Sequence, residues 1–256
     1  MPPSDSHSGA LSAVTRRIPG PVLAVLTALV LAAGGLGGGS LFGLAVSDIL
    51  AAAGIELPLV ASTVLSTVLL QGITFFGLSA LYLRYRGLGI DYVGVRTPDL
   101  EGWIYTGAGY VLAFVTAISM IVIVVFLLGL TPAQNRAGEL GQQDPRIFLV
   151  LIGLAFALIG PGEELLFRGI IQSRLRETFS APVGLALATA IFAAAHAGSL
   201  SGPTSGIALT IILLFFPGLV FAIVYEKTDN IVVPAFIHGA YNATLFALAY
   251  ISTVAG

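Results

Sequence analysis

The chain has 256 residues, 57% of them apolar and only 9% charged, with a formal net charge of -2 and no cysteine. An ordinary soluble domain carries ~25% charge, so a soluble fold this poor in ionisable groups could not cover its surface; the class is all-α, a polytopic transmembrane helical bundle. No basic patch offers itself to nucleic acid, and the missing cysteine removes disulfides, thiolate nucleophiles and cysteine-ligated metals together.

Residues 1–15 are small and polar and read as a disordered N-terminal tail, with His7 a bystander in it. Arg16-Arg17 ahead of the apolar run imitates a secretory signal. The run is long and more spans follow, which favours an uncleaved first anchor. The first span is expected from about Pro21 to Val46. Its glycine cluster, Gly34 to Gly39, suits close helix approach or marks a break; a break would split residues 21–56 and make eight spans rather than seven. The second span runs from about Leu57 to Leu83 and ends on the aromatic and basic edge Tyr82-Leu83-Arg84-Tyr85-Arg86. Residues 87–101 are a loop in which Thr97-Pro98-Asp99 opens the next helix. Trp103 to Leu130 is the third span, and residues 131–146 form a long polar connection.

The fourth span, Ile147 to about Thr178, amounts to ~48 Å of helix against a ~30 Å hydrocarbon core. Pro161-Gly162 in its middle is placed to kink it, and its end, Gln172 to Glu177, is expected to protrude into water. Three more spans follow at Ala181–Ala197, Gly206–Tyr225 and Ile231–Ile251, with a loop at residues 198–205 and a charged turn at Glu226–Asn230. With the N-terminus cytoplasmic, seven spans put Arg16, Arg17, Arg84, Arg86, Arg96, Arg174, Arg176 and Lys227 on the inner side and only Arg136 and Arg146 outside, eight against two. The expectation is an integral protein of the cell membrane, N-terminus inside and C-terminus outside.

Polar groups interrupt the later spans in three places: Glu163, Glu164 and Arg168; Phe192 and His196; His238 and Asn242. Ionisable groups at membrane depth are costly and usually mark a site or an ion path. Glu164 and Arg168 are four apart and can pair on one helix face, as can His238 and Asn242; Glu163 points ~100° away from Glu164. Counting helical rise from the two inner turns lets Glu163, His196, His238 and Asn242 share a layer. A lone membrane histidine commonly just bonds a neighbouring helix, a Glu–Arg pair can be a clamp, and Phe192 alone is packing. Several costly groups together favour a site.

Glu163-Glu164-Leu165-Leu166-Phe167-Arg168 fits EExxxR, Phe192 to His196 fits FxxxH, and His238 to Asn242 fits HxxxN. In that order on separate spans, they resemble the CPBP family (CAAX protease and bacteriocin-processing, also called Abi or type II CAAX endopeptidases). The resemblance covers about Arg146 to Ala247, so residues 146–256 are expected to be the catalytic core and residues 16–145 supporting transmembrane helices. It implies an intramembrane endopeptidase acting on a membrane-anchored peptide or protein, CAAX-like or other. Glu163 would be the general base, His196 would help hold the water, His238 and Asn242 would stabilise the oxyanion, and Glu164, Arg168 and Phe192 would support the site. A carboxylate in low dielectric makes a capable base, and an amide and an imidazole are suitable donors to developing negative charge.

No cofactor is favoured. Glu163, His196 and His238 could hold zinc with an open position for water, but HExxH is absent and metal-free water activation is preferred; the same residues serve either way. A non-proteolytic scaffold or immunity protein of the same fold is the alternative. A transporter, which would also explain buried Glu and His, ranks last because no internal repeat is visible.

Overall fold

The computed structural model describes residues 19–255; the predicted tail, His7 and Arg16-Arg17 lie outside the described residues. Seven of the described helices are long and apolar enough to cross a membrane. These are α1 (Gly20–Ala52), α2 (Leu59–Arg86), α3 (Leu100–Leu127), α5 (Arg146–Arg176), α6 (Ala181–Ser199), α7 (Thr204–Thr228) and α8 (Val232–Ala255). The protein is an all-α integral membrane protein. Between α3 and α5 the polar connection is more ordered than its composition suggested. It carries a short helix, α4 (Arg136–Gln143), and a strand, β1 (Gln134–Asn135), which pairs antiparallel with β2 (Leu200–Ser201) after α6. Asn135 caps α4 by accepting from the Ala137 N–H at 2.8 Å, as Asp99 caps α3 by accepting from Gly102.

The glycine-rich stretch does not break the first span: α1 runs through it unbroken, so the count among the described residues is seven. The glycines let neighbours approach instead. A Cβ at Gly35 would lie 2.9 Å from Leu166 Cδ2 and 3.2 Å from Phe75 Cε1, and one at Gly39 would collide with Leu70. This stripe seats α1 against α2 and α5, where small residues replace hydrophobic drive with close packing.

Helix α5 is ~46 Å long by its rise. Around Pro161-Gly162, where a kink is expected, the helix changes its winding: wide π turns at Ala155–Ile159 and Leu165–Gln172 flank an α-helical turn, Gly160–Glu164. Proline has no N–H to donate, and it enters where the first wide turn ends. The far end of α5 does not protrude as expected. Gln172, Arg174 and Leu175 are buried, with Gln172 Nε2 donating to Ala222 O at 3.0 Å. Around them Glu177 takes Arg174 at 2.9 Å and Arg86 at 3.2 Å, while Arg176 takes Glu226 at 2.9 Å. The Tyr92 hydroxyl, in the loop before α3, donates to Glu177 at 2.8 Å. Burial, reinforced by that carboxylate, pushes the Tyr92 phenol above its ordinary range.

Two apolar clusters fill the bundle. One gathers Phe75, Leu166, Phe167, Ile170, Ile171 and Phe192 against α1; the other gathers Ala113, Val220, Phe221, Val224, Ile237 and Tyr241 from α3, α7 and α8. The polar groups sit at the seam between them.

Candidate active site

The turn of α5 that bears both glutamates is wedged between two other backbones. A Cβ at Gly160 would lie 2.6 Å from Ala235 O of α8, and one at Gly162 would lie 2.7 Å from Gln71 O of α2. Only residues without side chains fit there, and the close approach brings Glu163 and Glu164 within reach of α2 and α8.

Glu164 is fully buried. Its Oε1 accepts from His238 Nδ1 at 2.8 Å and pairs with Arg168 Nη1 at 3.2 Å. The predicted Glu164–Arg168 pair therefore forms, but the same oxygen also fixes an imidazole from α8. Arg168, only 1% exposed, donates from Nη2 to Gly218 O of α7 at 3.0 Å and lays its guanidinium over the Phe192 ring at 3.9 Å. A desolvated cation–π contact of this kind is worth up to ~2 kcal/mol or more, so Phe192 acts as a platform for the arginine as well as filling space. His238 stacks on Phe221 at 5.0 Å.

Glu163 makes the contact that the sequence reading missed. Gln71 Nε2, from α2, donates to its Oε1 at 2.8 Å. Its Oε2 has no hydrogen-bond partner among the described residues and lies 3.8 Å from His196 Nε2 and 3.9 Å from His238 Nε2. The ring hydrogens can be assigned from the partners. His196 Nδ1 faces the Phe192 carbonyl at 2.9 Å and His238 Nδ1 faces a carboxylate, both of which only accept; each neutral ring thus carries its hydrogen on Nδ1 and turns a lone pair at Nε2 towards Glu163.

A carboxylate oxygen and two imidazole lone pairs have the chemistry of a zinc set. The spacing does not fit one: bonds of ~2.0–2.1 Å in a tetrahedron hold ligand atoms ~3.3–3.4 Å apart, and among the described residues no group of three such side chains closes to metal-holding spacing. A water donating to Glu163 Oε2 and to one Nε2, ~2.8 Å from each, spans 3.8–3.9 Å without adjustment.

These groups line a cavity of about 590 Å³ that also includes Asn242 and the Phe192 ring, within the ~300–1,000 Å³ range of small-molecule and substrate sites. Glu163, His196, His238 and Asn242, predicted to share a layer, come together on its wall, with Glu164 and Arg168 behind them. Gln71 carried a readable signal after all: Thr63, Thr67 and Gln71 recur every four residues, so they share one helix face, and all three line the cavity.

No curated protein and no solved structure matches the chain. Residues 145–244, spanning α5 to most of α8, match the family described as type II CAAX prenyl endopeptidase Rce1-like. The helices that supply the glutamates, both histidines and the asparagine thus lie within an Rce1-like stretch, which supports the resemblance to the CPBP family drawn from the three motifs.

Proposed function

We propose that the protein hydrolyses a peptide bond of a membrane-associated substrate, CAAX-like or other, using a water activated by Glu163. The observation that carries this is the unpartnered Oε2 of Glu163, which faces two imidazole lone pairs from two other helices on the wall of the cavity.

Gln71 holds Oε1, which leaves Oε2 as the atom that takes the proton. His196 Nε2 accepts from the same water and fixes its position. As the water oxygen attacks the carbonyl carbon, Glu163 receives the water's proton and the carbonyl electrons move to the oxygen. Asn242 donates from its amide to that oxyanion. His238 donates to it from Nε2 when it enters the cycle already protonated on both ring nitrogens and leaves with that proton unchanged, and Glu164 against Nδ1 stabilises this imidazolium. Collapse of the intermediate breaks the C–N bond, and Glu163 returns its proton to the leaving nitrogen. Arg168 neutralises Glu164 and keeps it oriented without touching substrate.

The test is Glu163→Gln, which keeps shape and the capacity to hydrogen-bond Gln71 but cannot take a proton. Cleavage of a membrane-anchored peptide in liposomes should disappear while thermal unfolding stays near wild type. Retained cleavage removes Glu163 as the base.

A further inference from the structure

The cavity is one-sided. Its walls run from Glu163 along α5 through Leu151 and Phe148 towards Arg146, along α7 through Leu214 and Thr210 towards Thr204, and end on Arg136 and Gly138 of α4. Helices α2 and α6 contribute from the half nearest α4 and the β1–β2 ribbon, and the linings of α5, α7 and α8 start near mid-membrane, at Glu163, Phe221 and His238, and run towards that same end. In the opposite direction the floor is solid: Arg168, Gln172 and Leu175 are buried, and the Arg86–Glu177–Arg174 and Arg176–Glu226 pairs close the surface below them.

Charge gives the two faces their identities. Arg84, Arg86, Arg96, Arg174, Arg176 and Lys227 lie on the closed face, while Arg136 and Arg146 lie on the open one, six against two among the described residues. Short loops rich in Arg and Lys stay in the cytoplasm.

We propose that the cavity opens away from the cytoplasm, and that the bond cut belongs to a membrane-anchored peptide presented from the outer leaflet rather than to the cytoplasmic C-terminus of a prenylated protein. The substrate half of this rests on the hydrolase reading above. From Arg146 to Glu163 is ~25 Å of helix, which ~7–8 extended residues would span, and the walls along that path are mostly apolar. An extended apolar segment fits them.

The chain has no cysteine, so single cysteines report cleanly. Gln134→Cys on exposed β1, Ser66→Cys on the cavity wall and Lys227→Cys on the closed face are treated in intact cells with a membrane-impermeant maleimide. The proposal expects the first two to be labelled directly and the Lys227 variant only after permeabilisation. Direct labelling at 227 with protection at 134 overturns the orientation; protection at 66 when 134 is labelled overturns the opening. The same labelling identifies proteoliposomes of known orientation, and a membrane-anchored peptide is then supplied to one face at a time. Cleavage only from the face bearing residue 134 supports the substrate assignment, and cleavage from the face bearing residue 227 overturns it. Cleavage from neither face, with labelling as expected, counts against the hydrolase and leaves the sidedness established by chemistry alone.

Discussion

Replacing Gln71 with methionine removes one atom pair from the site and little else. The side chain keeps its approximate length, but the 2.8 Å donor to Glu163 Oε1 is lost. A hydrogen bond to a charged group is worth ~1.5–3 kcal/mol, and the same substitution deletes Gln71 Oε1, a buried acceptor without a partner whose burial costs ~1–3 kcal/mol. The two terms oppose each other, so global stability should change little. Activity should not be spared, because nothing else holds Oε1 and leaves Oε2 aimed at the water. Losing ~1.5–3 kcal/mol of positioning corresponds to roughly ten- to one-hundred-and-fifty-fold in kcat at ~1.36 kcal/mol per decade, with KM nearly constant because the interaction acts on the base rather than on bound substrate. The assay is cleavage of a membrane-anchored peptide in liposomes, paired with thermal unfolding in detergent. An unchanged kcat would refute the positioning role, and a fall in unfolding temperature without a kinetic effect would reduce Gln71 to a structural bond.

Three other perturbations follow from the same geometry. Arg168→Gln leaves the Glu164 carboxylate buried without its cation and should cost ~3–5 kcal/mol; adding Glu164→Gln should recover part of the loss in unfolding measurements, whereas additive losses would mean that the pair is not coupled. Gly162→Ala puts a Cβ 2.7 Å from the Gln71 carbonyl, forcing backbones apart at a typical overpacking cost of ~1–3 kcal/mol and lowering activity. Gly153→Ala on the same helix meets nothing within 4 Å and should be neutral or stabilising. The Tyr92 phenol, raised by burial and by Glu177, stays neutral in the folded state while the unfolded phenol ionises near pH ~10. Its contribution is therefore complete below that pH and lost above it, and Tyr92→Phe should flatten the alkaline fall in stability.

The site was legible where membrane burial makes a residue type expensive. Glu163, Arg168, His196 and His238 stand out against hydrocarbon because charge there demands a reason, and four-residue spacing placed His238 and Asn242 on one face. What stayed hidden depended on tertiary contact. Nothing local says that the helix-neighbour arginine and a histidine 74 residues away would share one oxygen of Glu164. Gln71 carries no charge and lies in a half of the chain without a motif, so only its place on the Thr63–Thr67 face could have drawn notice. The order in α4 and the ribbon was missed because short polar segments gain their structure from the bundle ends they cover, as when the Ala133 N–H donates to Thr210 Oγ1 of α7. The buried end of α5 was misread for a related reason: its charges looked like a solvated terminus, but Glu177 and Glu226 pair them.

Whether one water is shared can be measured through non-additivity. Residues acting as a unit lose activity together, so that a second deletion adds little to the first. The determination is kcat/KM for Glu163→Gln, His196→Asn and His238→Asn, singly and combined, on one membrane-anchored peptide. The account predicts that the triple variant is about as impaired as Glu163→Gln alone. Losses that multiply through the series, or a Glu163→Gln protein that still cleaves, would contradict it.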